Sequence, residues 1–510
     1  MKKILLSLAI LIGLCGAASA QCNGLFPPST VCGNSTASPA PPKAIPSSGG
    51  LITTTCILIP TVCTAIFGYA DPVWYGADPT GAADSASAFN SALSDSSNVI
   101  FSHPGKYKFL SAITYNIATG VHSLSIACSG ADNTILFWPT GNGITVNYVF
   151  HGNSFHMRDC TVSTGAANSG NGVTLTQTDC LADFAQSDFY RVTFRGDDAY
   201  AAITDYWSNA INIVGVSGIN YDGLTLYGGF GSGSAQGNGI NIAGNPVDCG
   251  TTTGYSIYHN ISKNTLNNLN NGIVLGGYTQ GLTLTQSNLQ GSNFGILVPG
   301  SSPGNLLEML VSNNQFATVK DSILIGTSYN LSTFTGNLIA PGANFAAIDI
   351  QDTNQAFTTI TGNVIVCDSL TATHGIALQG DGTNIISNQI QFCGIGLAML
   401  GSAFNTLVQG NFFGGNTTAI TDVGSNNTIK DNGGYNPVGS SMLTVGASPF
   451  TYTAGDSPET VYIFGGAVSD VSVSGFFNCT GTQNCTINLD PHASVVVNYT
   501  MLPDIVKTVH

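Results

Sequence analysis

The run Arg195-Gly196-Asp197-Asp198-Ala199-Tyr200, with Tyr206-Trp207 a few positions on, concentrates groups able to do chemistry. Two adjacent carboxylates can divide a hydrolytic task, one protonating a leaving group while the other activates water. The same oxygens can instead hold Ca²⁺. Asp197 and Asp198 are therefore the candidate catalytic pair, with Arg195 as the cation beside them. Tyr200, Tyr206 and Trp207 would offer flat faces to sugar rings. Gly-Asp-Asp is equally an ordinary turn sequence, and both readings stand at this point.

All three Arg of the chain, Arg158, Arg191 and Arg195, fall in this neighbourhood and could form a local positive patch. Strand alternation turns Asp159, Thr161 and Ser163 to one side, with Arg191, Thr193 and Arg195 beside them and Gly223, Thr225 and Tyr227 beyond. In that register Asp159 and Arg191 are direct neighbours. Arg195 has no carboxylate opposite and is free to meet a substrate, and Arg191 and Tyr227 join it as candidate binding residues. Asp205 aligns with the apolar positions Leu175 and Ile242. Burial there would raise its pKa and suit it to act as an acid, unless the register bends and leaves it solvated. His151, His156 and His259 stand alone, and no Cys/His spacing is that of a zinc site. The reading contains no cofactor apart from Ca²⁺ at the aspartates.

The elements that must position these groups form a repeat. Apolar-x-x-Asn-x-apolar recurs at Asn264, Asn288, Asn314, Asn337, Asn363, Asn388, Asn411 and Asn432, with looser matches at Asn288 and Asn432. A second strand pattern runs in phase: Gly272-Ile273, Gly295-Ile296, Ser322-Ile323, Ala347-Ile348, Gly375-Ile376, Gly396-Leu397 and Ala419-Ile420. Periods of this length mark solenoids, whose repeats bury their apolar faces on one another. Asn at one fixed phase predicts a ladder of side-chain amides, since coils stack about 4.8 Å apart. Upstream, Cys160-Thr161-Val162, Val192-Thr193-Phe194 and Leu224-Thr225-Leu226 keep the phase at longer spacing, so residues 150–260 carry longer loops. Such loops tend to gather on one, often binding, face.

Composition narrows the class further. The 510 residues include 12 Lys+Arg against 27 Asp+Glu, 62 Gly and only 8% charged side chains, for a formal charge of −15. That balance excludes a nucleic-acid partner, which needs a basic face. A hydrophobic share of 43% is enough for a large core. Met1-Lys2-Lys3, an apolar run from Ile4 to Leu14 and Ala18-Ser19-Ala20 read as a signal peptide cleaved after Ala20, too short to span a bilayer. Its loss would remove Lys2, Lys3 and Cys15, leaving 12 of the 13 Cys and taking the charge from −15 to −17. The expected location is secreted: periplasmic, extracellular or cell-surface. Close spacing favours disulfides Cys22–Cys32, Cys56–Cys63 and Cys479–Cys485 in that oxidising setting. Cys128, Cys160, Cys180 and Cys249 divide between disulfides and buried thiols.

The chain thus divides into a signal peptide (1–20), a Pro/Ser/Cys-rich arm (21–68), a parallel β-helix (69–435) and a C-terminal β-sandwich (436–510). The sandwich could cap the solenoid or assemble a homo-oligomer. Asp84 is placed to cap a short helix running to Leu93, with Ala88/Ala92 and Phe89/Leu93 one turn apart.

The stretch Tyr75-Gly76-Ala77-Asp78-Pro79-Thr80-Gly81, with Asp84-Ser85, Ala88-Phe89, Val99-Ile100-Phe101 and Pro104-Gly105-Lys106-Tyr107, resembles the N-terminal signature of the pectate-lyase superfamily. More narrowly it resembles the rhamnogalacturonase/epimerase-like branch. The resemblance, which with the coils covers roughly residues 70–435, implies an all-β, right-handed parallel β-helix capped by a helix at its N-terminal end. It also implies activity on a polysaccharide in a groove along the outside. Polygalacturonases carry an Asp-Asp pair followed about one coil later by Gly-His-Gly. Here the comparable Thr373-His374-Gly375 lies several coils beyond Asp197. Thr30-Val31-Cys32-Gly33-Asn34-Ser35-Thr36 and Tyr435-Asn436-Pro437-Val438-Gly439 look similar to joints in phage tail or surface-fibre proteins. The expectation is a secreted protein that cleaves a polysaccharide, as hydrolase or lyase. Its alternative is a non-catalytic carbohydrate-binding or surface-attachment protein.

Overall fold

A computed structural model describes residues 30–33, 43–46 and 60–509, apart from 118–122, 151, 180–184, 232, 246–253, 301–305, 328, 369–372, 436–438, 474 and 481–483. The expected signal peptide, Cys22, Cys56, Cys180 and Cys249 lie outside the described residues. Within the arm, Thr30–Gly33 pairs antiparallel with Lys43–Pro46, and Pro60–Phe67 is helical.

From Asn98 onward each turn of chain contributes three short strands, one to each of three parallel sheets of 13, 12 and 12 strands. The first sheet runs from Asn98–Phe101 to Thr428–Lys430, the second from Gly105–Lys108 to Phe412–Gly414, and the third from Ile113–Ile117 to Thr418–Asp422. The result is a right-handed parallel β-solenoid. Its interior is a stack of like residues, because each inward position repeats one coil away. Ile273, Ile296, Ile323, Ile348, Ile376, Leu397 and Ile420 form one such column in the third sheet. Six of the seven are fully buried, and Ile420 in the last coil is 7% exposed.

Helix Ala86–Asp95 closes the N-terminal end. Asp84 Oδ1 accepts from the Ala86 amide at 3.1 Å, so the expected capping side chain holds the first turn although Ser85 occupies the cap position. Phe89 packs edge-on against Phe101 at 5.1 Å, and Ala88, Ala92 and Leu93 complete the buried face. At the other end two four-stranded antiparallel sheets form a small sandwich around Val461, Ile463, Val471, Ile487, Val497 and Ile505. It meets the last coils through the Ile429 amide bonding to Asp456 O at 2.6 Å and His492 Nε2 against Asn427 O at 2.7 Å.

The amide ladder lies between the first and second sheets. Asn363 Nδ2 donates to Asn388 Oδ1 at 2.9 Å and to Phe334 O at 2.9 Å, and its own Oδ1 accepts from the Asn337 amide and Nδ2. The same links join Asn314 to Asn337, Asn388 to Asn411 and Asn411 to Asn432. One rung differs from expectation. Asn288 begins the strand Asn288–Gln290, and Ser287 occupies the ladder, accepting from the Asn264 amide and donating its own amide to Asn314 Oδ1. Disulfides Cys128–Cys160 and Cys367–Cys393 tie neighbouring coils, and Cys479–Cys485 staples the sandwich. Cys128 and Cys160 are therefore not free thiols.

Candidate functional site

The long coils present their extra chain at the corner between the second and third sheets, where residues 197–208 and 228–237 join consecutive strands. The second sheet has the anticipated register: Thr161 pairs with Thr193 and Ser163 with Arg195, and Thr193 pairs with Thr225. Asp159 and Arg191 are neighbours as expected, in an ion pair of 2.7 Å. The three Arg do not form one patch. Arg158 ends a strand of the first sheet, Arg191 sits at the following corner and Arg195 lies in the second sheet.

Arg195 is not free. Its Nε meets Asp132 Oδ1 at 3.3 Å, Nη1 donates to Gly196 O, and only 7% of the side chain is exposed. Asp132 comes from the turn before strand Thr134–Trp138, two coils upstream, outside the strand register from which the expectation was drawn. Tyr200 lies over this pair, with its hydroxyl 3.3 Å from Asp132 Oδ2 and its ring 5.0 Å from the guanidinium. Tyr227 meets the same ring edge-on at 5.8 Å. Tyr200, 65% exposed, forms with Tyr227 an aromatic pair above a neutralised cation.

The aspartates divide. Asp197 is exposed and holds Lys106 Nζ between its two oxygens at 2.8 and 2.7 Å. Asp198 folds the loop: its carboxylate accepts from the Thr204 amide and hydroxyl and from the Asp205 amide. Burial pushes its pKa up, but those hydrogen bonds outweigh the burial and hold it below the ordinary value. Asp205 moves the other way, raised by burial and then by the negative charges of Asp198 and Asp197. The position that continues Leu175 and Ile242 is Ile213, so Asp205 lies before the strand, half-buried. The register does bend there.

Trp207 is the clearest correction among the aromatics. It is 2% exposed, packs edge-on against Trp138 and donates Nε1–H to Val162 O, so it is core and no sugar can stack on it. Its neighbour Tyr206 stays at the surface between two grooves. One, of about 430 Å³, is lined by Ala167, Ile203, Thr204, Gly231 and Gln236. The other, of about 360 Å³, is lined by Asn168, Ser208, Asn209, Gln236, Asn238 and Asn270. Gly229 makes room for the ring, because a Cβ there would fall 2.4 Å from Tyr206 Cδ1.

Two asparagines of the second groove, Asn209 and Asn238, belong to another ladder, while Asn168 accepts from the Ser208 hydroxyl and Asn270 from the Asn293 side-chain amide. Asn209 donates to Asn171 at 2.8 Å and Asn238 to Asn209 at 2.9 Å. Each such link uses one of the two N–H bonds of an amide, and the second can point into the groove. An aromatic face flanked by ordered amides and a hydroxyl suits a neutral, hydroxyl-rich ligand. The sequence signal for these residues is the recurrent Asn at 171, 209, 238 and 271, a spacing hidden by the unequal loops between them.

These features define a class: a parallel β-solenoid with a polar-aromatic corner built from its long coils. The family model described as periplasmic copper-binding protein (NosD) matches residues 128–446, and the chain belongs to that family. Among solved structures, bacteriophage CBA120 tailspike protein 3 is 14% identical with a TM-score of 0.49, covering 83% of this chain and 69% of that one. PfbA, a surface adhesin of Streptococcus pneumoniae, is 12% identical with a TM-score of 0.40, over 70% of this chain and 92% of that one. DFA-IIIase from Arthrobacter chlorophenolicus A6 without its lid is 14% identical with a TM-score of 0.43, over 70% and 93%. At these identities the likeness is one of fold alone. No curated protein matches the chain.

The family description names copper, which soft or imidazole donors would have to hold. Among the described residues no group of three or more His, Cys, Asp or Glu is placed to hold a metal ion. Six cysteines are tied in the three disulfides, and His259 is buried against Tyr221 and Ser256. The described residues therefore do not fit a copper centre. Among them, too, no helix is long and apolar enough to cross a membrane.

Proposed function

We propose that this protein is a non-catalytic carbohydrate-binding or surface-attachment solenoid that works outside the cytoplasm and holds a neutral polysaccharide at the Tyr206 corner. The observation that carries the reading is the contrast between the grooves and the carboxylates. The grooves flanking Tyr206 are lined by amides and hydroxyls suited to sugar recognition, whereas Asp197 is engaged by Lys106 and Asp198 by its own loop. Tyr200 and Tyr227 extend the aromatic surface toward the second sheet. The overall charge of −15 disfavours acidic polymers, and the inter-coil disulfides and the family's periplasmic description support an oxidising location. In this reading residues 69–435 carry the glycan contact, while the sandwich caps the solenoid or joins copies of the chain, which sedimentation of the purified protein would test.

One observation favours a second reading, cleavage of the bound glycan. Asp205 and Asp198 have pKa values displaced in opposite directions within one loop, the division of labour that an acid and a base require. Asp205 would protonate the leaving oxygen and Asp198 or Asp197 would activate water. Incubating the protein with neutral and acidic polysaccharides, with and without Ca²⁺, separates the readings. Retention of a polysaccharide without new reducing ends supports attachment. Reducing ends without ultraviolet absorbance identify a hydrolase, and both signals together identify a lyase. Product formation that disappears in Asp205→Asn would establish the second reading.

A further inference from the structure

A separate groove, of about 440 Å³, lies on the first sheet and is centred on Tyr258. The register Ile219–His259–Leu282–Met309–Ser332 across five coils places Gly218, Tyr258, Gly281, Glu308 and Leu331 in one column. All five adopt left-handed backbone, with φ of 71°, 60°, 70°, 64° and 59°. Glycine meets that demand without cost and stands in the coils on both sides of Tyr258. A bulky aromatic there costs more than glycine, a cost that Glu308 and Leu331 also bear in this column.

The flanking glycines leave the tyrosine room. A Cβ on Gly281 would stand 3.2 Å from Tyr258 Cδ1, and the Tyr258 residue is 58% exposed. Beside the ring, the outward column Asn220–Asn260–Thr283 lines the groove, with Asn260 Nδ2 donating to Asn220 Oδ1 at 3.3 Å. The next residue in that column, Asp188, is paired with His156, so the wall brings no unpaired carboxylate. Behind the groove His259 bonds to Tyr221 and Ser256, and burial lowers its pKa to about 3, so it is neutral. The groove is lined by a flat aromatic face, the amides of Asn220, Asn260 and Gln186 and a hydroxyl. Glu308, two coils from Tyr258 in the same column, lies outside that lining and accepts from the Gln280 side-chain amide.

We infer that this groove is a second carbohydrate site, which takes a neutral pyranose stacked on Tyr258 with its hydroxyls bonded by Asn220, Asn260 and Thr283. It lies on a different sheet from Tyr206, so either site can fail alone. The test uses the full chain in a Tyr206→Ala background, with cellohexaose, xylohexaose, maltohexaose and chitohexaose as probes in titration calorimetry. Tyr258→Gly should weaken at least one probe by about tenfold or more, and Tyr258→Phe should stay within about threefold of its parent. Because glycine relieves the left-handed strain, Tyr258→Gly should melt no lower than its parent. The inference is overturned if no probe shows Tyr258-dependent binding. It is equally overturned if Tyr258→Gly lowers the melting temperature by several degrees, which would make the ring structural.

Discussion

Replacing Asn363 by Ala removes one rung of the amide ladder, and the cost can be worked bond by bond. Asn363 is fully buried. Its Oδ1 accepts from the Asn337 amide at 3.0 Å and from Asn337 Nδ2 at 2.9 Å, while its Nδ2 donates to Phe334 O and Asn388 Oδ1. Three of the four partners keep another bond: Asn337 Nδ2 still reaches Val311 O, Asn388 Oδ1 still accepts from the Asn363 amide, and Phe334 O stays in the ladder that pairs its strand with Thr359–Thr361. The Asn337 amide loses its partner in a dry interior. The expected loss is that of one buried orphan, roughly 1–3 kcal/mol. Urea unfolding followed by tryptophan fluorescence measures it, with amide exchange at coils 337–388 reporting local opening. A loss below about 0.5 kcal/mol would refute the reasoning, because it would mean that the ladder bonds are replaced at no cost. Asn363→Asp adds a signed check. A buried carboxyl there acquires a raised folded pKa, so its destabilisation should be large at neutral pH and recede as pH falls and the acid regains a proton to donate.

Three further outcomes are expected. Trp207→Ala should destabilise by about 3–5 kcal/mol, as truncation of a core indole does, which thermal or urea unfolding would show. Disrupting Cys367–Cys393 by paired Ala substitution opens a 26-residue separation and should cost about 3.5 kcal/mol on the chain-entropy estimate, read as a lower urea midpoint. Asp456, near Asp422 and 3.6 Å from His492 at the joint with the sandwich, has its pKa raised to about 6 by burial and by Asp422. The native state therefore holds this proton more tightly than the unfolded chain, and its stabilising effect is lost as pH rises from about 4 through about 6. Asp456→Asn should flatten the melting-temperature profile across that interval. An unchanged slope would locate the titration elsewhere.

The solenoid was legible because its physics is periodic. An inward Ile must repeat once per coil, so Ile273 through Ile420 could be aligned by eye, and the buried asparagines announced themselves by a fixed phase. Where chemistry rather than residue type fills a rung, the pattern misleads: Ser287 does the work assigned to Asn288. The candidate site was less legible because it is made by loops of unequal length. Arg195 could be placed in its strand, but Asp132 reaches it from a turn two coils back. The Tyr206-Trp207 pair likewise carried no sign of which ring enters the core, since the preceding loop hides the register at which the next strand begins. Asp205 shows the same effect, displaced from the apolar column that Ile213 occupies.

The most direct test of the account is the affinity of the intact chain for neutral polysaccharides, compared between wild type and Tyr206→Ala by affinity electrophoresis in gels containing each polymer. The account predicts retardation of the wild type by at least one neutral polymer and a weakening of about tenfold or more in the variant, some 1.4 kcal/mol, with an unchanged melting temperature. Equal retardation of the two proteins, or none of the wild type by any polymer, would contradict it.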